Sequence, residues 1–119
     1  MKLASESGEL EAVTGLALSE DRFTVLQFAF TCGVLSLGCD DDTDEIIVKV
    51  INAASGYPRV THAGLADLIG MCIEYAWMLT NHRGYLDVFQ LRLMDKQRRE
   101  ETRQFEVAAS TMRIHRVVV

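Results

Sequence analysis

Two clusters in this chain carry side chains whose chemistry reaches beyond packing. The first is Asn81, His82, Arg83, Tyr85, Asp87 and Gln90, which puts an imidazole, a guanidinium, a phenol and a carboxylate within one short stretch. Such a set suits an anion, a polar ligand or a proton transfer. Polar residues are also the default at an exposed turn, where Asn81 and Asp87 would hold the backbone. The turn is the plainer reading, contact with a ligand or partner the functional one, and catalysis the weakest. The second cluster is the acidic run Asp40, Asp41, Asp42, Asp44 and Glu45. Asp40, Asp42 and Asp44 open like a calcium loop, but the sixth position holds Glu45 instead of Gly and the twelfth holds Ile51 instead of Glu. A solvated hairpin tip is expected there, one that keeps a sheet edge soluble or meets a basic partner.

Other chemistries find no foothold. Ser36 and Ser110 lie in no nucleophile elbow, and there is no glycine-rich phosphate loop. No paired acids are placed in a cleft. His62 and His115 have no Cys or His at ligand spacing, so no metal is expected. The basic run Lys96, Arg98, Arg99, Arg103 is interrupted by Glu100 and Glu101, and reads as a solvated turn. Cys32, Cys39 and Cys72 are an odd number within apolar stretches, which suggests reduced, buried thiols in a cytosolic protein. No catalytic residue, metal or cofactor is implied.

The elements that must position these groups centre on Ile69 to Leu93. Ile73, Tyr75, Trp77 and Leu79 alternate with Cys72, Glu74, Ala76 and Met78, and Phe89, Leu91 and Leu93 alternate with Val88, Gln90 and Arg92. Period two marks strands with one buried face, which places Tyr75 and Trp77 inward. Asn81-His82-Arg83-Gly84 would close the hairpin with a type I turn and a left-handed glycine. The same stretch also allows one long helix from His62 to Thr80, because Leu65, Leu68, Ile69, Cys72, Ala76 and Leu79 fall at helical spacing. Gly70 in its middle, costing about 1 kcal/mol against Ala, favours a short helix capped by Thr61 and ending near Gly70, followed by a strand.

Before this, Phe23–Phe30, Val34–Cys39 and Glu45–Ile51 read as a three-stranded meander, while Leu10–Leu18 fits either helix or strand. After it, a charged turn leads to strands burying Phe105 and Val107, then Met112 and Ile114 with His115 outward. The fold class expected is α+β, mostly β. About seven antiparallel strands in meander order would form a curved sheet or small open barrel with one short helix, or two packed sheets.

At 119 residues, with 49% hydrophobic and 24% charged residues, the chain reads as a single domain, residues 1–119, with a loose tail at 1–8. The terminus turns acidic before any apolar core, unlike a secretion signal, and no run approaches a membrane span. Net charge is −5, which argues against nucleic acid as a partner. Residues 1–82 hold four Lys/Arg against twelve Asp/Glu, and residues 83–119 eight against five. That asymmetry either neutralises itself in the fold or leaves two faces for association.

The pattern Trp77-Met-Leu-Thr-Asn81-x-x-Gly84-Tyr85-x-Asp87-x-x-Gln90-Leu91, with Val107-Ala-Ala-Ser110 later, resembles small bacterial proteins of unknown function. The resemblance covers the last half of the chain and implies no activity, only a bacterial, cytoplasmic setting. The function expected is a non-catalytic protein–protein interaction module, regulatory or immunity-type, pairing with itself as a homodimer or with a basic partner. The alternative is a small-molecule binder or enzyme with an aromatic-lined pocket near Trp77.

Overall fold

The computed structural model describes residues 7–40, 42–80, 84 and 86–117. Its elements are β1 (Leu10–Ser19), β2 (Arg22–Phe30), β3 (Gly33–Cys39), β4 (Ile46–Ile51), a one-turn helix α1 (Ala63–Ala66), β5 (Cys72–Thr80), β6 (Leu86–Met94), β7 (Glu100–Ala108) and β8 (Thr111–Val117). The strands form two antiparallel meanders, β1–β4 and β5–β8, merged into one curled sheet, a half-barrel. Among the described elements the fold is mostly β with one short helix, as expected.

The sheet path runs β4-β3-β2-β8-β7-β6-β5, with β1 on the other edge of β2. One pair, Phe23 with Met112, joins the meanders. Phe23 already pairs with Ala17 on one side, so β8 takes the edge that β3 holds from Val25 onward. Curling brings the start of β1 round to β5: Glu9 bridges Cys72, and the Leu10 N–H donates to the Met71 carbonyl at 2.8 Å.

Among the described residues there are eight strands where about seven are expected. The eighth is β1, whose ambiguity in sequence has a physical cause. Its buried residues Leu10 and Val13 are three apart, a helical interval. In the ladder Leu10 faces Phe30 and Ala12 faces Ala29, so Glu11 is the extra residue of a bulge. A bulge shifts the alternation by one, and period two becomes an apparent three.

The long helix does not form. α1 stops at Ala66, and Gly70 turns the chain into β5 with φ +88°, a region favourable to glycine. His62, not Thr61, caps α1: its Nδ1 accepts from the Gly64 N–H at 2.9 Å. No described helix is long and apolar enough to cross a membrane.

The core lies inside the curl. Phe28 meets Phe105 edge-on with ring centres 5.5 Å apart, which fastens the first meander to the second. Leu65, Leu68 and Met71, all buried, add the connection before β5 to the same core. Burial of each such side chain contributes about 1.5–3 kcal/mol. Cys32 corrects one expectation. It is exposed at the β2–β3 turn, because a two-residue turn leaves its side chain outside the curl, while Cys39 and Cys72 are partly buried.

Candidate functional site

The outer face of β5 and β6 gathers the residues best suited to recognition. In β5, Ile73 faces Leu93 and the next pair is Tyr75 with Arg92, so Glu74 is a bulge. Beyond it the alternation is inverted. Ala76 and Met78 pack on the core, while Tyr75 is 53% and Leu79 38% exposed. Tyr75 and Trp77 therefore do not line the interior, as strict alternation predicts. One inserted residue moves every following side chain to the opposite face.

The outward aromatics are held in place. Tyr75 and Trp77 meet edge-on at 6.5 Å, and the Arg92 guanidinium stands 5.8 Å from the centre of the Tyr75 ring. Arg92 Nη1 also lies 3.9 Å from Glu74 Oε1, whereas Glu74 Oε2 is buried without a hydrogen-bond partner. Trp77 faces Gln90, and the Gln90 Nε2 donates to Gln104 Oε1 at 2.6 Å. On β8, His115 continues this row opposite Gln104 and lies 3.9 Å from Glu106. The face is thus aromatic at the β5 edge and polar toward β8.

Of the two described members of the hairpin-tip set, Asp87 and Gln90, Gln90 reaches this face. Asn81, His82, Arg83 and Tyr85 lie outside the described residues, and Asp87 lies on β6. Gly84 has φ +86°, the left-handed value expected at the close of that turn. In the acidic run Asp41 lies outside the described residues, and the rest organise a loop. The Asp40 N–H donates to the Glu45 carbonyl, and the Asp42 N–H to Asp40 Oδ1, each at 2.9 Å. Asp44 reaches across to the β7–β8 turn, where its Oδ1 accepts from the Ser110 N–H at 2.8 Å and Oγ at 3.2 Å. Among the described residues no three His, Cys, Asp or Glu side chains form a candidate metal site.

A cleft of about 350 Å³ opens between the end of β1 and the connection, lined by Phe23, Pro58, Arg59, Thr61 and His62. With Nδ1 accepting from Gly64, a neutral His62 carries its proton on Nε2. Neither Tyr75 nor Trp77 lines this cleft.

Arg103 corrects the reading of the basic run. Its side chain is 1% exposed, and its Nη2 donates to both carboxylate oxygens of Asp67, at 3.0 Å each. Its Nε donates to the Gly64 carbonyl at 2.6 Å, and Nη1 lies 3.5 Å from Glu101, which also pairs with Arg116 at 3.1 Å. This network clamps α1 to β7. The signal was present in sequence, since Arg103 shares the parity of Phe105 and Val107 and must point inward with them.

A family model described as a family of unknown function, DUF6334, matches residues 2–118. The chain belongs to that family. DUF6334 membership brings no activity, substrate or partner with it, and it spans nearly the whole chain rather than the last half. No curated protein and no solved structure matches the chain. The outer face of β5 and β6 is therefore a DUF6334 surface whose role rests on its own geometry.

Proposed function

We propose that the chain is a non-catalytic protein-interaction module that presents the outer face of β5 and β6 to a protein partner. The observation that carries this is the Glu74 bulge, which turns Tyr75 and Trp77 out of the core beside Arg92. Trp, Tyr and Arg are the types that most often dominate binding energy at interfaces. Their mutual contacts fix the side chains before a partner arrives, which lowers the entropy lost on binding. The net charge of −5 disfavours nucleic acid as the partner and leaves a protein partner, in a regulatory or immunity-type role, as the reading. Three free thiols fit a reducing, cytoplasmic setting.

The test is capture from native-host lysate on immobilised chain, comparing wild type with Trp77→Ala. A stoichiometric protein, including an untagged copy of the chain, that wild type retains and folded Trp77→Ala loses is the expected result. Equal capture by both would overturn the assignment of this face.

A further inference from the structure

We propose that the occupant of this face is a second copy of the chain, joined by antiparallel pairing of β5 with β5 about a two-fold axis at Trp77. This rests on the assignment of the β5 face as an interaction surface, and it names the partner.

Among the described residues, β5 has one strand neighbour, β6, apart from the Glu9–Cys72 bridge. Ser7 also covers the start of that edge, where its Oγ accepts from the Ile73 N–H at 3.2 Å. From Tyr75 to Thr80 the strand reads Tyr-Ala-Trp-Met-Leu-Thr, with no charge, proline or glycine. Natural edge strands are usually blunted by such residues against pairing with another chain. β5 lacks them, whereas β4, at the other end of the sheet path, carries exposed Lys49. Two copies meeting through β5 bring no like charges together along that run, and Glu74 is already paired with Arg92.

The pleat restricts the register. Directly opposed residues in an antiparallel pair point to the same face, so a two-fold axis must pass through a residue position. An axis at Ala76 would need the edge at Ile73 that Ser7 already occupies. An axis at Met78 leaves Tyr75 beyond Thr80 of the other copy. An axis at Trp77 sets Trp77 against Trp77, Tyr75 against Leu79 and Ala76 against Met78. It covers both exposed apolar side chains of β5 at once and brings Thr80 of the second copy opposite Glu74, whose Oε2 has no hydrogen-bond partner. Seven residues of each strand, Glu74 to Thr80, then pair and supply on the order of six main-chain hydrogen bonds, with the aromatic face continuing across the axis.

The experiment is sedimentation equilibrium on the full chain, with circular dichroism as the control for folding. Wild type is expected to be a dimer. Trp77→Lys and Trp77→Glu should each weaken it at least ~100-fold, and an equimolar mixture of the two should recover a heterodimer. A second set avoids replacing the tryptophan. Tyr75→Lys alone should be monomeric, and Tyr75→Lys combined with Leu79→Glu should dimerise again, because the axis sets position 75 against position 79. A dimer indifferent to these charges would overturn the pairing. A monomeric wild type that still captures a different protein through Trp77 would overturn the second copy while sparing the interaction face. A chain that binds nothing through Trp77 would overturn both.

Discussion

β4 and β5 end the same sheet path, and their outer edges, which pair with no further named strand among the described residues, are built differently. β4 reads Ile46-Ile-Val-Lys-Val-Ile51, with Val50 73% exposed beside exposed Lys49. A strand with that much outward apolar surface is prone to pair with another chain, and the ammonium opposes it at little cost to the fold. β5 exposes comparable apolar surface at Tyr75 and Leu79, yet has no charge from Tyr75 to Thr80. Its start is covered by Ser7 and Glu9. β4 thus carries a charged guard that β5 lacks from Tyr75 to Thr80, while Arg92 and the Glu74 bulge fix the β5 aromatics outward.

The largest effect is expected away from both edges and sets the scale for them. Arg103→Ala leaves Asp67 and Glu101 without their shared guanidinium, and removing one member of a buried pair costs about 3–5 kcal/mol. Because Asp67 is 38% exposed, the lower end of that range applies, roughly 3 kcal/mol. Thermal unfolding should show the loss, with both edges failing together. Trp77→Ala should instead weaken association by about 30-fold, near 2 kcal/mol, with little change in melting temperature. A variant that loses stability and association in parallel would break the distinction between edge and core.

Lys49→Val removes the guard from β4. Light scattering should then show aggregation at lower protein concentration than wild type, and an unchanged threshold would remove the contrast between the edges. Asp44→Ala deletes the carboxylate that ties the β3–β4 loop to Ser110, at about 1 kcal/mol by denaturant titration. The effect is small because the loop is exposed. Ala109 and Ser110 have φ 52° and 61°, so this contact also holds two non-glycine residues in the left-handed region.

The smallest effect reads the covered start of β5. Burial pushes the Cys72 thiol up, Glu9 adds to the rise and Lys96 opposes it. A raised thiol favours the protonated form in the folded state. Its contribution to stability is therefore full below the ordinary thiol range and is lost as pH rises through the raised value. Iodoacetamide at mildly alkaline pH should modify exposed Cys32 well before Cys72, as mass spectrometry of timed digests would show. Equal rates would mean that the start of β5 is not covered.

Much of this architecture was legible in the residues. Alternation from Phe89 to Leu93, and at Phe105, Val107, Met112 and Ile114, located β6, β7 and β8 and their inward faces, because period two holds where the ladder is regular. It failed at Glu11 and Glu74, where bulges add one residue and exchange the faces beyond. No residue type signals a bulge as glycine signals a left-handed turn, so strict period two puts Tyr75 and Trp77 inside. The outward aromatic face is hidden from a period-two reading by the same bulge. Arg103 is obscured for another reason: the nearby Lys96, Arg98 and Arg99 form a charged run that masks its shared parity with Phe105 and Val107.

Trp77 is the chain's one tryptophan, so its fluorescence reports directly on the β5 face. The measurement to make is its emission maximum and acrylamide quenching over a dilution series from about 10 nM to about 100 µM protein, a range that spans ordinary protein affinities. Pairing through β5 should give a blue shift and loss of quenching as concentration rises, both abolished by Leu79→Lys. Emission and quenching that stay constant across the series, in wild type and variant alike, would contradict pairing of two copies through β5.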